Sequence, residues 1–165
     1  MKYLTLLFIF ALSNTAAAGW EVASFKNKME DSTEITVELK SKNLFKGKHA
    51  KLDLFLECGR EDRLSILVSH PDFLNVTLPV HVRFDKEEQK SIGSSIGSDY
   101  KSYHLGSGSR PRDISSDEFF EKLKTTDNLM ISYFDSNGIA LIPEFNVKAL
   151  DKALKKKDTI CSKSK

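Results

Sequence analysis

Two cysteines, four histidines and a few charged residues in alternating stretches are the side chains of this sequence that could do chemistry. Cys58 and Cys161 stand alone, with no C-x-x-C pair. A nucleophilic thiol needs its thiolate stabilised by a cation, a helix N-terminus or a second Cys, and nothing here supports that. In an oxidising compartment an isolated pair is expected to bond. A Cys58–Cys161 bridge would close a loop of roughly 100 residues, to which chain-entropy models assign about 4–5 kcal/mol. The expectation is a structural disulfide that pins the C-terminal segment to a central strand. His49, His70, His81 and His104 recur at no i, i+2 or i, i+4 spacing and have no carboxylate cluster to complete a metal set. Glu87-Glu88 and Asp117-Glu118 lie in polar or capping contexts, not between apolar walls that would raise a pKa for acid–base work. The G-x-x-x-x-G-K-[ST] phosphate loop is missing, and Gly93-Ser94-Ser95 and Gly97-Ser98 read as a bulged edge or loop. No catalytic residue, metal or cofactor is expected.

Binding chemistry is better represented. His81, Arg83 and Asp85 fall on the polar side of one alternating strand, with Tyr100 and Tyr103 in the stretch that follows. An exposed strand edge bordered by such residues suits capture of a protein partner by β-addition. The same residue types serve equally well as ordinary surface or core positions. Gly106 to Arg112 reads as a loop, flexible at its start and stiffer near Pro111. Arg110 and Arg112 on that loop could pair with a catalytic carboxylate. A second reading is therefore an exported inhibitor or immunity protein that plugs a cell-wall hydrolase; a third is a cell-wall hydrolase itself.

The elements that must position these residues follow from periodicity. Glu34 to Leu39 alternates polar and apolar, as does Ala50 to Cys58, and Leu64 to Ser69 reads as a return strand. Lys42 to Lys48, with Asn43 and Gly47, reads as a turn, and His70-Pro71-Asp72 as another. Val80 to Phe84 alternates again, and Tyr100, Tyr103 and Leu105 suggest one short strand. Ser115 opens a helix, answered by Glu118 in a capping box, with Phe119, Phe120 and Leu123 as its apolar stripe. Leu129 to Phe134 and Ile139 to Phe145 flank Asn137-Gly138, a strong hairpin signal. Asn146 is placed to cap a final helix carrying Val147, Leu150 and Leu154. Six to eight strands in antiparallel hairpins, two short helices and one disulfide predict a mainly β fold, an antiparallel β-sandwich.

The N-terminus sets the compartment. Met1-Lys2-Tyr3, an apolar run from Leu4 to Leu12 and Ala16-Ala17-Ala18 have the order of a secretory signal peptide cleaved after Ala18. The run is about half of the ~20 residues that span a bilayer, so neither an anchor nor an integral membrane protein is expected. A buried core helix is the competing reading. Residues 19–165 then form a single β-rich domain in the periplasm, ending in a flexible Lys-rich tail. Loss of Lys2 lowers the formal net charge from +2 to about +1, and the interspersed signs leave no nucleic-acid footprint. Only Lys152, Lys155, Lys156, Lys157, Lys163 and Lys165 gather. They read as a solvated helix face with a frayed end, or as a source of loose attraction to anionic lipid or cell-wall polymer.

Several of these segments in order resemble the TagO/VasI family of periplasmic proteins associated with type VI secretion. The likeness runs from Trp20 to Ser24 through Met29-Glu30-Asp31-Ser32 and Ile35 to Leu39. It continues with Leu52-x-Leu54-x-Leu56-x-Cys58, then Val80-x-Val82-Arg83-Phe84-Asp85 and Phe119-Phe120-x-Lys122-Leu123. Phe145, Leu150, Ala153-Leu154 and Cys161 complete it. The resemblance implies a non-enzymatic periplasmic accessory protein whose partner is an envelope or secretion-system protein.

Overall fold

The computed structural model describes residues 19–27, 32–75, 77–107 and 113–163. The proposed signal peptide lies outside the described residues. Strand patterning dominates, and among the described residues eleven strands form two antiparallel sheets. The larger orders β1 (Glu21–Asn27), β2 (Ser32–Phe45), β3 (Lys48–Glu57), β4 (Arg60–Ser69), then β8 (Ser102–Leu105) and β7 (Ser94–Ile96). The smaller orders β10 (Ala140–Leu141), β9 (Asn128–Phe134), β5 (Val80–Phe84) and β6 (Lys90–Ile92), with β11 (Glu144–Asn146) also on β9.

Period-two burial explains why the sheets close on each other. Ile35, Val37 and Leu39 on β2, Leu52 and Leu54 on β3, and Ile66 and Val68 on β4 are buried. Val80, Val82 and Phe84 of β5, with Leu129, Ile131 and Tyr133 of β9, are buried in the same core cluster. Each fully buried Leu, Ile or Val contributes about 1.5–3 kcal/mol relative to exposure, so this doubled face is the main source of stability. The fold is the expected mainly β sandwich with two helices.

Local differences from the sequence reading have identifiable causes. Lys42 to Lys48 is not one turn, because β2 continues to Phe45 through an irregularity between Lys40 and Leu44. There Ser41 Oγ donates to Asn43 O at 2.7 Å and accepts from Ala50 N at 3.0 Å, absorbing the extra residues. The reversal itself is Lys46-Gly47, both at positive φ (50° and 77°), as a tight hairpin requires. The run Ile139 to Phe145 splits into β10 and β11 around Pro143, which has no N–H for the ladder. Tyr100 is not in a strand; it sits on the β7–β8 turn at φ 55°.

Helix α1 (Ser116–Thr125) is capped by Ser115, whose Oγ accepts from Glu118 N at 3.1 Å. The Glu118 carboxylate faces Lys90 Nζ at 3.5 Å rather than completing the reciprocal box. Phe119 and Leu123 bury the inner face, with the Phe84 and Phe119 rings 5.4 Å apart. Asn146 Oδ1 accepts from Lys148 N in a turn just before α2 (Leu150–Lys163), so it caps that turn and not the helix. The Lys-rich segment is therefore helical through Lys163. Trp20, Val22, Leu154 and Ile160 are half-buried against the core, and Trp20 Nε1 donates to Val147 O at 3.1 Å. The Cys58–Cys161 disulfide, with Cα atoms 5.3 Å apart, fastens the end of α2 to the β3–β4 turn. Among the described residues no helix is long and apolar enough to cross a membrane.

Candidate functional site

β5 and β9 lie side by side in the smaller sheet, with His81 opposite Ser132 and Arg83 opposite Met130. Their inward neighbours Val80, Val82, Leu129 and Ile131 are committed to the core, so alternation turns His81, Arg83, Met130 and Ser132 to the outer face. Two clefts open there. One, of about 290 Å³, is lined by His81, Arg83, Glu87, Glu88, Met130 and Ile142 among others. The other, of about 510 Å³, takes in Lys42, Asp85, Lys86, Asp127, Met130 and Glu144. Met130 lines both.

The walls are held by hydrogen bonds across distant parts of the chain. Asn43 Nδ2 donates to Ile142 O at 2.8 Å and Asn43 Oδ1 accepts from Glu144 N at 2.9 Å, fastening the β10–β11 connection to β2. Ile142 stays 46% exposed beside the cleft. Asp85, at φ 44°, accepts from Asn128 N at 2.9 Å, Asn128 Nδ2 at 3.3 Å and Asp127 N at 3.4 Å. Desolvation pushes its carboxyl up, but these donors outweigh it and hold the group below the ordinary aspartate range. Asp85 is thus a structural clasp between β5 and β9 at the cleft wall. Arg83 Nη2 reaches Met130 Sδ at 2.9 Å, and among the described residues no carboxylate closes on its guanidinium.

The expected site residues therefore divide. His81, Arg83 and Asp85 come together, as their spacing on one strand required. Tyr100 is elsewhere, 56% exposed at the end of the sandwich. Tyr103 is corrected to a core residue: it is 2% exposed, and its hydroxyl donates to the Asn75 carbonyl. A surface partner cannot reach it. Arg110 and Arg112, the inhibitor-loop residues, lie outside the described residues. Met130, Ile142 and Lys42 were missed, because their place at the clefts comes from strand pairing and from the irregularity in β2. Gly93-Ser94-Ser95-Ile96-Gly97 matches the letters of G-x-S-x-G. Ser95, however, lies on β7 opposite His104, with its Oγ 2.7 Å from Ser107 Oγ, and no strand–turn–helix elbow surrounds it. Among the described residues no group of three or more His, Cys, Asp or Glu could hold a metal ion.

The outer face of β5 and β9 thus carries a thioether, an exposed isoleucine, carboxylates, and a guanidinium that reaches the thioether and has no carboxylate partner among the described residues. No protein-family model matches the chain. No curated protein matches it either. Among solved structures, the crystal structure of invasion associated protein B from Bartonella henselae is similar, with a TM-score of 0.56 and 10% sequence identity. The match covers 86% of this chain and 92% of that one, and at this identity it shows a shared fold.

Proposed function

We propose that this chain is a non-enzymatic binding protein of the bacterial envelope, which holds a protein partner on the outer face of its smaller sheet. The observation that carries this reading is the pair of clefts joined at Met130, with Arg83 beside them. A Met beside an exposed Ile adapts to an incoming apolar side chain. An Arg with no carboxylate partner can give charge-assisted hydrogen bonds to a carbonyl or carboxylate of the partner. The sequence leader and the disulfide support work in an oxidising compartment. The resemblance to TagO/VasI proteins supports a partner in the envelope or in type VI secretion machinery.

The test is affinity capture of the tagged protein from cross-linked envelope fractions, beside Arg83→Ala and Met130→Ala variants. One stoichiometric envelope protein should be recovered, and each variant should reduce recovery about tenfold or more while keeping its melting temperature. Undiminished recovery would remove this face from the account. Recovery of a lytic enzyme that the protein inhibits would replace the reading with the inhibitor one.

A further inference from the structure

The end of the sandwich opposite the disulfide gathers four connections that are bonded to one another. Lys46 Nζ, on the β2–β3 turn, reaches Asp72 at 2.9 Å. Leu74 N donates to Tyr100 O on the β7–β8 turn at 2.8 Å, and Ser136 N on the β9–β10 turn donates to Phe73 O at 2.9 Å. Large apolar side chains stand exposed on or beside these connections: Leu44 56%, Phe73 57%, Tyr100 56% and Ile139 61%. A little over half of such a side chain is about 100 Å², so the four offer roughly 400 Å² of apolar surface. Tyr100 is held there at φ 55°, a conformation that disfavours side chains, with its ring in solvent and not in the core.

Charge around the patch comes in both signs. Lys46 pairs with Asp72, and Lys101 Nζ sits 4.7 Å from the centre of the Phe73 ring. Asp99 accepts from Lys101 N and Ser102 Oγ, both at 2.9 Å, and Asp135 accepts from Asn137 N and Ile139 N, both at 2.8 Å. The Lys101 N–H holds Asp99, and the Ile139 N–H holds Asp135, below the ordinary aspartate range. A two-fold contact lays a surface on its own image, so an excess of either sign would repel the second copy. Interleaved lysines and ionised aspartates avoid that repulsion and let each sign of one copy meet the other sign of its partner. Size points the same way. A standard interface buries about 800 Å² on each partner, of which about 56–65% is apolar. The four side chains supply most of the apolar area that one half of such a contact needs.

We propose that two copies of this chain associate through this end about a two-fold axis, with Leu44, Phe73, Tyr100 and Ile139 facing their own images. None of the four lines the clefts that meet at Met130. The dimer therefore presents two open partner-binding faces, and a partner with repeated sites is held by both at once.

Sedimentation equilibrium of the purified protein, with nothing else present, tests this. A monomer–dimer equilibrium with a dissociation constant of about 1–100 μM is expected, the weak end for a contact of this size. Phe73→Asp sets a carboxylate against its own image and should weaken the dimer about a hundredfold or more. Tyr100→Gly removes the ring and relieves the backbone. It should weaken the dimer about tenfold without lowering the melting temperature, which separates a lost contact from lost folding. Arg83→Ala should leave the dimer unchanged, so failure of the partner site and failure of this one are distinguishable. Protein that stays monomeric up to about 1 mM would overturn the proposal, as would a dimer that neither end variant weakens. Attachment of the same side chains to lipid vesicles or to an envelope protein, with the purified chain monomeric, would overturn it too.

Discussion

Asp53→Asn should make the protein more stable at neutral pH and flatten its pH dependence. Asp53 lies on the outer face of β3, directly opposite Glu38 on β2 and Leu67 on β4, and is only 8% exposed. Burial and then the Glu38 charge push its carboxyl up to about 6, against 3.8 for a free aspartate. Lys51, its nearest cation in sequence, is drawn to Glu38 at 2.8 Å. A folded-state value above the unfolded one means the native state holds its proton more tightly. Stability from this residue therefore falls as pH rises from about 4 to about 6 and is level above. The full shift corresponds to about 3 kcal/mol at 1.36 kcal/mol per pH unit, and relaxation of the site reduces this to roughly 1–3 kcal/mol. That range is about 3–10 °C in melting temperature for a chain of this size. Calorimetric scans of both proteins at pH 3 and 7.5 should show the variant gaining at the higher pH and close to the wild type at the lower. Identical differences at both pH values would refute the assignment of a strained, ionised Asp53.

The remaining expectations concern the fold and its fastening. Cys58→Ser with Cys161→Ser should lower stability by about 4–5 kcal/mol in denaturant titrations, and a reductant should do the same to the wild type; an unchanged midpoint would mean the bridge constrains little. Gly106→Ala should be strongly destabilising, by roughly 2–4 kcal/mol, because Gly106 is at φ 81° and an added Cβ would lie 2.3 Å from Ser116 Cβ and 2.9 Å from its Cα. Equal melting of variant and wild type would sink that view of the contact with α1. Tyr133→Phe removes a buried hydroxyl that has no hydrogen-bond partner among the described residues, so it should be neutral or stabilising by about 1 kcal/mol; a loss above about 2 kcal/mol would show that the hydroxyl is satisfied.

What was legible in the sequence was what short-range physics controls. Asn137-Gly138 marked the β9–β10 reversal, Ser115 the start of α1, and the alternation of Leu52, Leu54 and Leu56 the strand that leads to Cys58. The two cysteines announced their bond because nothing else in the sequence could use them. Long-range pairing was not legible. The sequence could not say that β6 and β7, separated only by Gly93, belong to different sheets. Tyr103 and Tyr100 look alike in a Ser/Gly-rich stretch, yet pairing with Val68 turns one into the core while the turn leaves the other in water. Of the binding face, the β5 half could be read from His81 and Arg83. The β9 half could not, because only register brings Met130 beside Arg83.

The most direct test of the binding reading is site-specific photo-crosslinking in intact envelopes. A photoreactive amino acid would replace Ile142 or Ser132 beside the clefts, with Phe25 on the far edge strand β1 as a control. The account predicts one discrete crosslinked protein from Ile142 and Ser132, lost when Arg83→Ala is combined with either, and none from Phe25. Crosslinks from Phe25 with none from the smaller sheet would contradict it, and would move the partner to the open edge of β1.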